Sequence, residues 1–303
     1  MARPSPAVDR VVAVLNFLAA HPDEGFTLSE LARHLDLNKA TAHSLLNALS
    51  DAGYVIRHPS RLTYTLGPAL VVLGNAAAAG SPALDFARDE MRTLAETFEL
   101  ECLATAEVGD DMVILARSGV PGRLRTLDDL VQIGRRLPLV PPLGTVFRAW
   151  AGDDEIERWL ALLERTAGDD EIERYRQGLH AARRRGYVVG LEADPRATLG
   201  RALAQLADDD RGARVRDVVE SLVDDLGHDE YILVDLQSTS NYFVNHVVAP
   251  VFDSNGGVAL AISLAGFRGR MSGADIERHG RALRDACDRV TRAIHGRAPE
   301  QAA

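Results

Sequence analysis

The stretch from Phe26 to Leu49 constrains the fold most, because it contains two short helical patterns separated by a tight connection. Leucines recur every three to four residues in both halves, which is the period of an amphipathic helix. Thr27 and Glu30 have the spacing of a capping box, and Asn38 stands where it caps the second helix. These signals are typical of a helix-turn-helix, although an ordinary pair of packed helices has the same local pattern.

The residues that follow favour the helix-turn-helix over the ordinary pair. Tyr54–Ile56 is predicted to be a strand, residues 57–61 a turn and Leu62–Leu66 a returning strand. A hairpin directly after the second helix is typical of a wing that contacts the phosphate backbone, while small and hydrogen-bonding side chains on the helix suit a major groove. The predicted DNA-binding residues are Thr27, Lys39, Ala40, Thr41, His43, Ser44, Asn47, Arg57 and Arg61.

The runs ELARHLDLNKATAHSLLNALSDAGYV and YTLGPALVVLG resemble the N-terminal domain of the IclR family of bacterial transcriptional regulators. The resemblance covers residues 9–74, and one departure is Ser44, which stands where the family commonly has Arg. It implies an α+β protein in which a winged helix-turn-helix is joined by a linker helix to a GAF-like sensor domain with an antiparallel sheet. It also implies that Asp9–Ala20, a predicted helix, contributes to a dimer contact.

At 303 residues the chain exceeds a typical single domain, so at least two domains are expected. We predict a DNA-binding domain at 1–66, a linker helix at 67–82 and an effector-binding domain at 83–303. The alternative for the linker is the first core helix of the second domain. A charge-rich helical segment at about 197–226 is predicted to be an insertion, either a structural or oligomer-forming element or a separate regulatory site.

The charge of the chain argues at first against a nucleic-acid partner, because the net charge is −10 and the pI is about 5.4. The segment from Met1 to Leu66, however, holds six basic and six acidic residues and is neutral. A DNA-binding domain without net charge gains affinity when dimerisation doubles its contacts with phosphates. We therefore expect a homodimer or a dimer of dimers on a partly palindromic operator of double-stranded DNA.

Other classes of site have little support in the sequence. Cys102 and Cys287 are far apart and are predicted to be buried thiols, as in a reducing compartment. We find neither a signal peptide nor an apolar run of membrane-spanning length, so we predict a cytoplasmic protein without a membrane partner. No cofactor or metal is expected, and the usual nucleotide-binding and hydrolase motifs do not occur. The acidic runs at 153–155, 169–171 and 208–210 are predicted to be solvated helix starts, and the basic run at 183–185 a solvated helix end rather than a phosphate-binding patch.

The second half of the chain predicts a strand at Glu230–Leu236 and then a hairpin of two long strands, Tyr242–Phe252 and Val258–Phe267. The resemblance implies that the positions of Pro250 and Ser263 face an effector and that the loop at 133–139 enters the same pocket. Strand alternation adds the neighbours that share each face. The predicted effector-binding residues are Leu143, Gly144, His246, Val248, Pro250, Ala261, Ser263 and Ala265.

The residue types at these positions suggest which ligand is bound. A cationic or hydrogen-bonding His246 beside the Ser263 hydroxyl suits a carboxylate or carbonyl oxygen in an apolar pocket, so the effector is expected to be a small organic molecule, with carboxylic acids as one class. The alternative is that His246 packs or faces solvent. Pro250 and Ala265, where family members often carry Ser or Cys, suggest a ligand less polar than a small keto acid.

The sequence thus predicts a ligand-responsive transcriptional regulator and not an enzyme. Two alternatives stay open at this point. One is a small-molecule-binding enzyme or scavenger whose N-terminal domain only dimerises. The other is a scaffold that has lost ligand binding because Pro141, Pro142 and Ala265 close the pocket.

Overall fold

The computed structural model describes residues 5–19, 21, 24–119, 132–162, 168–191 and 231–299. The chain divides into two compact units, Met1–Ser81 and Pro82–Ala303. The helical insertion predicted at 197–226 and the acidic run at 208–210 lie outside the described residues.

The first unit is a helix-turn-helix followed by a small antiparallel sheet. Its strands lie in the order β1-β3-β2, so the returning strand of the wing pairs with both others. The helices and strands are α1 (Pro6–Ala19), β1 (Phe26–Thr27), α2 (Leu28–His34), α3 (Lys39–Asp51), β2 (Val55–Arg57), β3 (Thr63–Leu66) and α4 (Ala69–Ala79). The predicted helix-turn-helix and wing are therefore confirmed, whereas β1 was not predicted.

Apolar side chains from every layer of this unit meet in one core. Leu18 of α1, Leu31 of α2 and Leu46 of α3 are at most 1% exposed, and Val55 and Tyr64 of the wing pack against them. Burial of these large side chains stabilises the unit by roughly 1.5–3 kcal/mol each relative to exposed side chains. The core fixes α3 on one face and leaves its other face exposed.

The second unit is a mixed α/β domain built on a seven-stranded sheet. Its strands follow the order β10-β8-β9-β4-β5-β6, with β7 also pairing with β8, and every pairing is antiparallel. The elements are α5 (Pro82–Phe98), β4 (Glu101–Val108), β5 (Asp111–Ser118), β6 (Arg136–Pro138), α6 (Thr145–Ala149), α7 (Asp153–Leu160), α8 (Asp169–Arg185), β7 (Val188–Leu191), β8 (Asn241–Phe252), β9 (Val258–Ala265), β10 (Arg270–Ser272) and α9 (Gly273–Ala293).

Helices cover both faces of this sheet. On one face, α5 and α9 pack against inward residues such as Ile262 and Leu264, which are fully buried. On the other face, α6, α7 and α8 contribute to a second core that contains Val248 and Ala261 of the sheet. We call this second side the α6–α8 face. The combination of helices with an antiparallel sheet confirms the predicted α+β class.

Some local predictions are wrong or incomplete. Residues 230–236 were predicted to be a strand, but within the described part of that segment only an isolated bridge joins Ile232 to Gly190. The expected loop at 133–139 contains the short strand β6, and β10 was not predicted. Arg183 and Arg185, expected on a solvated helix end, are half-buried and donate to backbone carbonyl oxygens of Ala149 and Leu233.

Cys102 and Cys287 are both buried free thiols, as predicted. Burial raises the pKa of each thiol, which keeps both protonated and unreactive. Taken singly, none of the helices in the described ranges is both long and apolar enough to cross a membrane; the segments Ala69–Ala77 and Pro82–Phe98 meet that criterion only together.

Candidate functional site

Helix α3 presents a polar face whose start is fixed by a side-chain cap. The Asn38 side-chain oxygen accepts a hydrogen bond from the Thr41 amide at 2.8 Å, which satisfies one of the unpaired donors of the first turn. Ala42, Leu46 and Leu49 bury the opposite face. The exposed residues of α3 include Lys39, Ala40, His43, Ser44 and Asn47, while Thr41 is half-buried.

Thr27 and Glu30 form the predicted capping box at the start of α2. The Glu30 amide donates to the Thr27 hydroxyl at 3.3 Å, and the Thr27 amide donates to the Glu30 carboxylate at 2.7 Å. The second of these bonds lowers the pKa of the Glu30 carboxyl. The hydroxyl of Thr27 also donates to Glu30 at 2.8 Å, so its side chain is engaged in holding α2.

The wing carries two exposed arginines at and beside its tip. Arg57 ends β2, and its guanidinium lies 5.8 Å from the centre of the Tyr64 ring. At the tip, the Arg61 amide donates to His58 Nδ1 at 3.2 Å, which holds the turn closed. Arginine side chains on a hairpin of this kind are a common source of contacts with a phosphate backbone.

In the second unit, the register of the β8–β9 hairpin brings the predicted effector residues together. Residues that pair directly across two strands point to the same face and lie about 5 Å apart at Cβ. The three cross-strand pairs are His246 with Ala265, Val248 with Ser263 and Pro250 with Ala261. Val248 and Ala261 lie in the core of the α6–α8 face, so all six of these paired residues lie on the α6–α8 face of the sheet.

The turn before α6 lies on the same face. Gly144 adopts a left-handed φ of +79°, and a side chain there would collide with Leu139. The Thr145 hydroxyl donates to the Pro142 carbonyl at 2.6 Å and holds the turn, in which the Pro141–Pro142 bond is cis. Leu139, Val146 and Phe147 pack in the core with Val248 and Ala261. The structure thereby brings the backbone of Leu143 and Gly144 toward the sheet residues.

His246 is half-buried between β7 and the segment after residue 230. Its ring lies 5.9 Å from that of Tyr231, and Gly190 opposite it leaves no space for a side chain. Burial lowers the pKa of His246 to about 4. The imidazole is therefore uncharged at neutral pH, so it can take part in hydrogen bonds but supplies no positive charge.

Two arginines around this face are paired with carboxylates. Arg117 donates through Nε and Nη2 to the buried carboxylate of Glu101 at 3.0 and 3.1 Å. Arg148 binds both oxygens of Glu107, at 2.7 and 3.0 Å. Glu101 pairs with Ala265 across β4 and β9, and Ala265 pairs with His246 across β9 and β8. The Glu101–Arg117 ion pair therefore begins in the same cross-strand row as His246.

Three buried aromatic residues of this face were not among the site residues predicted from the sequence. Trp159 of α7 and Tyr175 of α8 are 2% and 5% exposed, and their rings meet edge to face at 5.9 Å. Tyr231 is equally buried in the same core. The helical spacing of Trp159 and Tyr175 predicts that they are buried, but it does not reveal that their polar atoms are buried as well.

The described residues do not favour a metal centre. Within the ranges that the structure covers, no group of three or more His, Cys, Asp or Glu side chains is arranged to hold an ion. The acidic runs at 153–155 and 169–171 begin α7 and α8, as predicted, where negative charge complements the helix dipole.

Comparison with known proteins relates this architecture to one family. Residues 7–59 match the model of the IclR helix-turn-helix domain. The HTH-type transcriptional regulator XynR of Escherichia coli is 26% identical over 195 residues, which are 61% of this chain and 74% of XynR. These matches are to transcriptional regulators and not to enzymes.

Solved structures show the same fold over nearly the whole chain. An IclR transcriptional regulator from Alicyclobacillus acidocaldarius superposes with a TM-score of 0.67 at 22% identity, covering 96% of this chain and 100% of that one. An IclR homologue from Microbacterium hydrocarbonoxydans, complexed with 4-hydroxybenzoate, has a TM-score of 0.58 at 20% identity and covers 95% and 98% of the two chains.

Proposed function

We propose that this chain, an IclR-type protein with its helix-turn-helix at residues 7–59, is a ligand-responsive transcriptional regulator that binds double-stranded operator DNA. The observation that carries the proposal is the exposed face of α3. An Asn38-capped helix is anchored by Leu46 and Leu49 and presents small and hydrogen-bonding side chains outward. This combination suits a helix that enters a major groove.

The proposed contacts with DNA fall into two chemical groups, those with base edges and those with phosphates. Thr41, Ser44 and Asn47 offer hydrogen bonds to base edges, and Ala40 allows close approach. Lys39, Arg57 and Arg61 offer positive charge to phosphates, which adds affinity without sequence information. Because few cations are available in one reader domain, the protein acts as a homodimer or a dimer of dimers on a partly palindromic site.

The second unit binds a small organic effector on its α6–α8 face, at the residues paired across β8 and β9. The relative from Microbacterium hydrocarbonoxydans, complexed with 4-hydroxybenzoate, supports an organic ligand for this fold. An effector changes DNA binding only if it prefers one arrangement of the reader domains over another.

A gel-shift titration on the DNA upstream of the gene tests the proposal. We expect sequence-selective retardation that resists scrambled competitor and weakens as salt rises. The triple variant Thr41→Ala, Ser44→Ala, Asn47→Ala should lose at least tenfold in selective affinity while its melting temperature stays close to that of the wild type, because the three side chains face outward or lie half-buried.

A matched control removes three exposed side chains from a helix of the other unit. The variant Thr93→Ala, Glu96→Ala, Thr97→Ala on α5 should bind DNA like the wild type. Retardation that ignores sequence, or equal losses in the two triple variants, would reject α3 as the reader helix.

A further inference from the structure

Two polar atoms buried in the core of the α6–α8 face have no hydrogen-bond partner among the residues that the structure describes. These are the indole Nε1 of Trp159 and the phenol oxygen of Tyr175. A buried donor without a partner costs about 1–3 kcal/mol. A phenylalanine at position 175 would fill nearly the same space without that cost, so the unpaired N–H and O–H call for a partner beyond the described part of the chain.

The two atoms belong to the same core as the sheet residues of the candidate effector site. Trp159 and Tyr175 share the cluster that includes Val248 and Ala261. Tyr231 belongs to this core as well, and its ring lies 5.9 Å from that of His246. Polar aromatic side chains from α7, α8 and the segment before β8 thus share one core beside the sheet.

Charge on this face bears on the class of ligand. Arg117 and Arg148 are bound to the carboxylates of Glu101 and Glu107, and Arg183 donates to the carbonyl oxygens of Ala149 and Ala151. His246 is uncharged because of its burial. A buried carboxylate would need a cation of its own to offset its desolvation. An uncharged oxygen acceptor needs only the N–H and O–H donors that are present.

We propose that Trp159 and Tyr175 contact the effector, and that the effector is an uncharged aromatic molecule with an oxygen acceptor, such as an ester of an aromatic carboxylic acid or an aryl ketone. The rings of Trp159, Tyr175 and Tyr231 supply edges and faces against which an aromatic ring packs well. This inference rests on the proposed function and extends the candidate site from the sheet to the helical layer.

The test uses the full-length protein and two probes of nearly equal shape, methyl 4-hydroxybenzoate and the 4-hydroxybenzoate anion, at pH 7.5. The chain has two tryptophans, so the variant Trp150→Phe leaves Trp159 as the only indole reporter. We expect the ester to change Trp159 fluorescence saturably and to bind at least tenfold more tightly than the anion.

The variant Tyr175→Phe then distinguishes a role of the Tyr175 hydroxyl in binding the ligand from a role in stabilising the fold. Since the Tyr175 hydroxyl has no partner among the described residues, the variant should unfold at the same or a higher temperature, yet bind the ester fivefold or more weakly. The control Tyr187→Phe alters a buried tyrosine on the other face of the sheet and should leave ester binding unchanged.

Three results would overturn the proposal: tighter binding of the anion than of the ester, unchanged ester affinity in Tyr175→Phe, or no response of Trp159 to millimolar ester. Gel shifts on the same protein preparations distinguish a failure of the ligand assignment from a failure of the proposed regulatory function. Selective DNA binding without ester binding would reject only the ligand assignment, while ester binding without DNA binding would reject only the regulatory function.

Discussion

Glu101 and Arg117 form a two-point ion pair across β4 and β5, with the carboxylate fully buried and the guanidinium 22% exposed. Removing Arg117 would leave a buried charge without its partner, which costs about 3 kcal/mol or more. We expect Arg117→Met to lower the unfolding free energy by that amount, as measured by urea denaturation.

The double variant Glu101→Leu, Arg117→Met should regain most of the lost stability, because a buried ion pair contributes little more than an apolar pair of similar volume. The surface pair Arg176–Glu157 is the control, and breaking it should leave the unfolding free energy nearly unchanged. Equal losses in the single and double variants would contradict the assigned role of the pair.

The Asn38 cap links the stability of α3 to DNA binding. Asn38→Ala removes the acceptor for the Thr41 amide and should cost about 1 kcal/mol of unfolding free energy. Because the cap holds the first turn, which carries Lys39, Ala40 and Thr41, selective DNA affinity should fall as well. Asn38→Asp keeps an acceptor in place and should restore stability; if it does not, the side-chain cap is not the cause.

The burial of His246 makes stability depend on pH. The unfolded histidine titrates near its ordinary pKa of 6.5, whereas burial lowers the folded pKa to about 4. Between these values the unfolded chain binds more protons, so stability is full above pH 6.5 and is lost as the pH falls toward 4. The slope contributed by this group is at most about 1.4 kcal/mol per pH unit.

Urea unfolding of the wild type and of His246→Gln at several pH values between 4.5 and 7.5 measures this contribution. The variant should show a smaller slope. It should keep some slope, because burial also lowers the pKa of His279, which packs between Phe98 and Phe267. Identical slopes in the two proteins would show that His246 is not desolvated.

The parts of the fold that depend on residues close together in the sequence could be predicted from the sequence. The caps at Thr27 and Asn38 join residues three apart, so the sequence alone contains both partners. The face that holds His246, Val248 and Pro250 follows from the period of two along a strand. The helix-turn-helix, the wing hairpin and the long β8–β9 hairpin are all confirmed for this reason.

The parts that depend on distant residues could not be predicted. Strand β1 has two residues and exists because it pairs with β3. The register of β8 against β9 includes a bulge at Val251 and Phe252 that no residue type marks. Arg185 binds carbonyl oxygens almost fifty residues away, and the unpaired atoms of Trp159 and Tyr175 are defined by a whole layer of neighbours.

Gly190 is the residue that leaves room for the His246 ring. The two residues are paired across β7 and β8, and a methyl group at position 190 would overlap the imidazole. Gly190→Ala should therefore lower the unfolding free energy by about 1–3 kcal/mol, since overpacking a buried site forces side chains from their preferred positions.

A double-variant comparison identifies the cause of that loss. In a His246→Ala background the ring is gone, so adding Gly190→Ala should cost little, and the two substitutions should be non-additive by 1 kcal/mol or more. Gly152→Ala, at an open position, is the control and should change stability only slightly. Equal costs of Gly190→Ala in both backgrounds would show that the close approach of β7 to His246 does not limit this position. Non-additivity would instead identify Gly190 as the residue that admits the imidazole to the α6–α8 face.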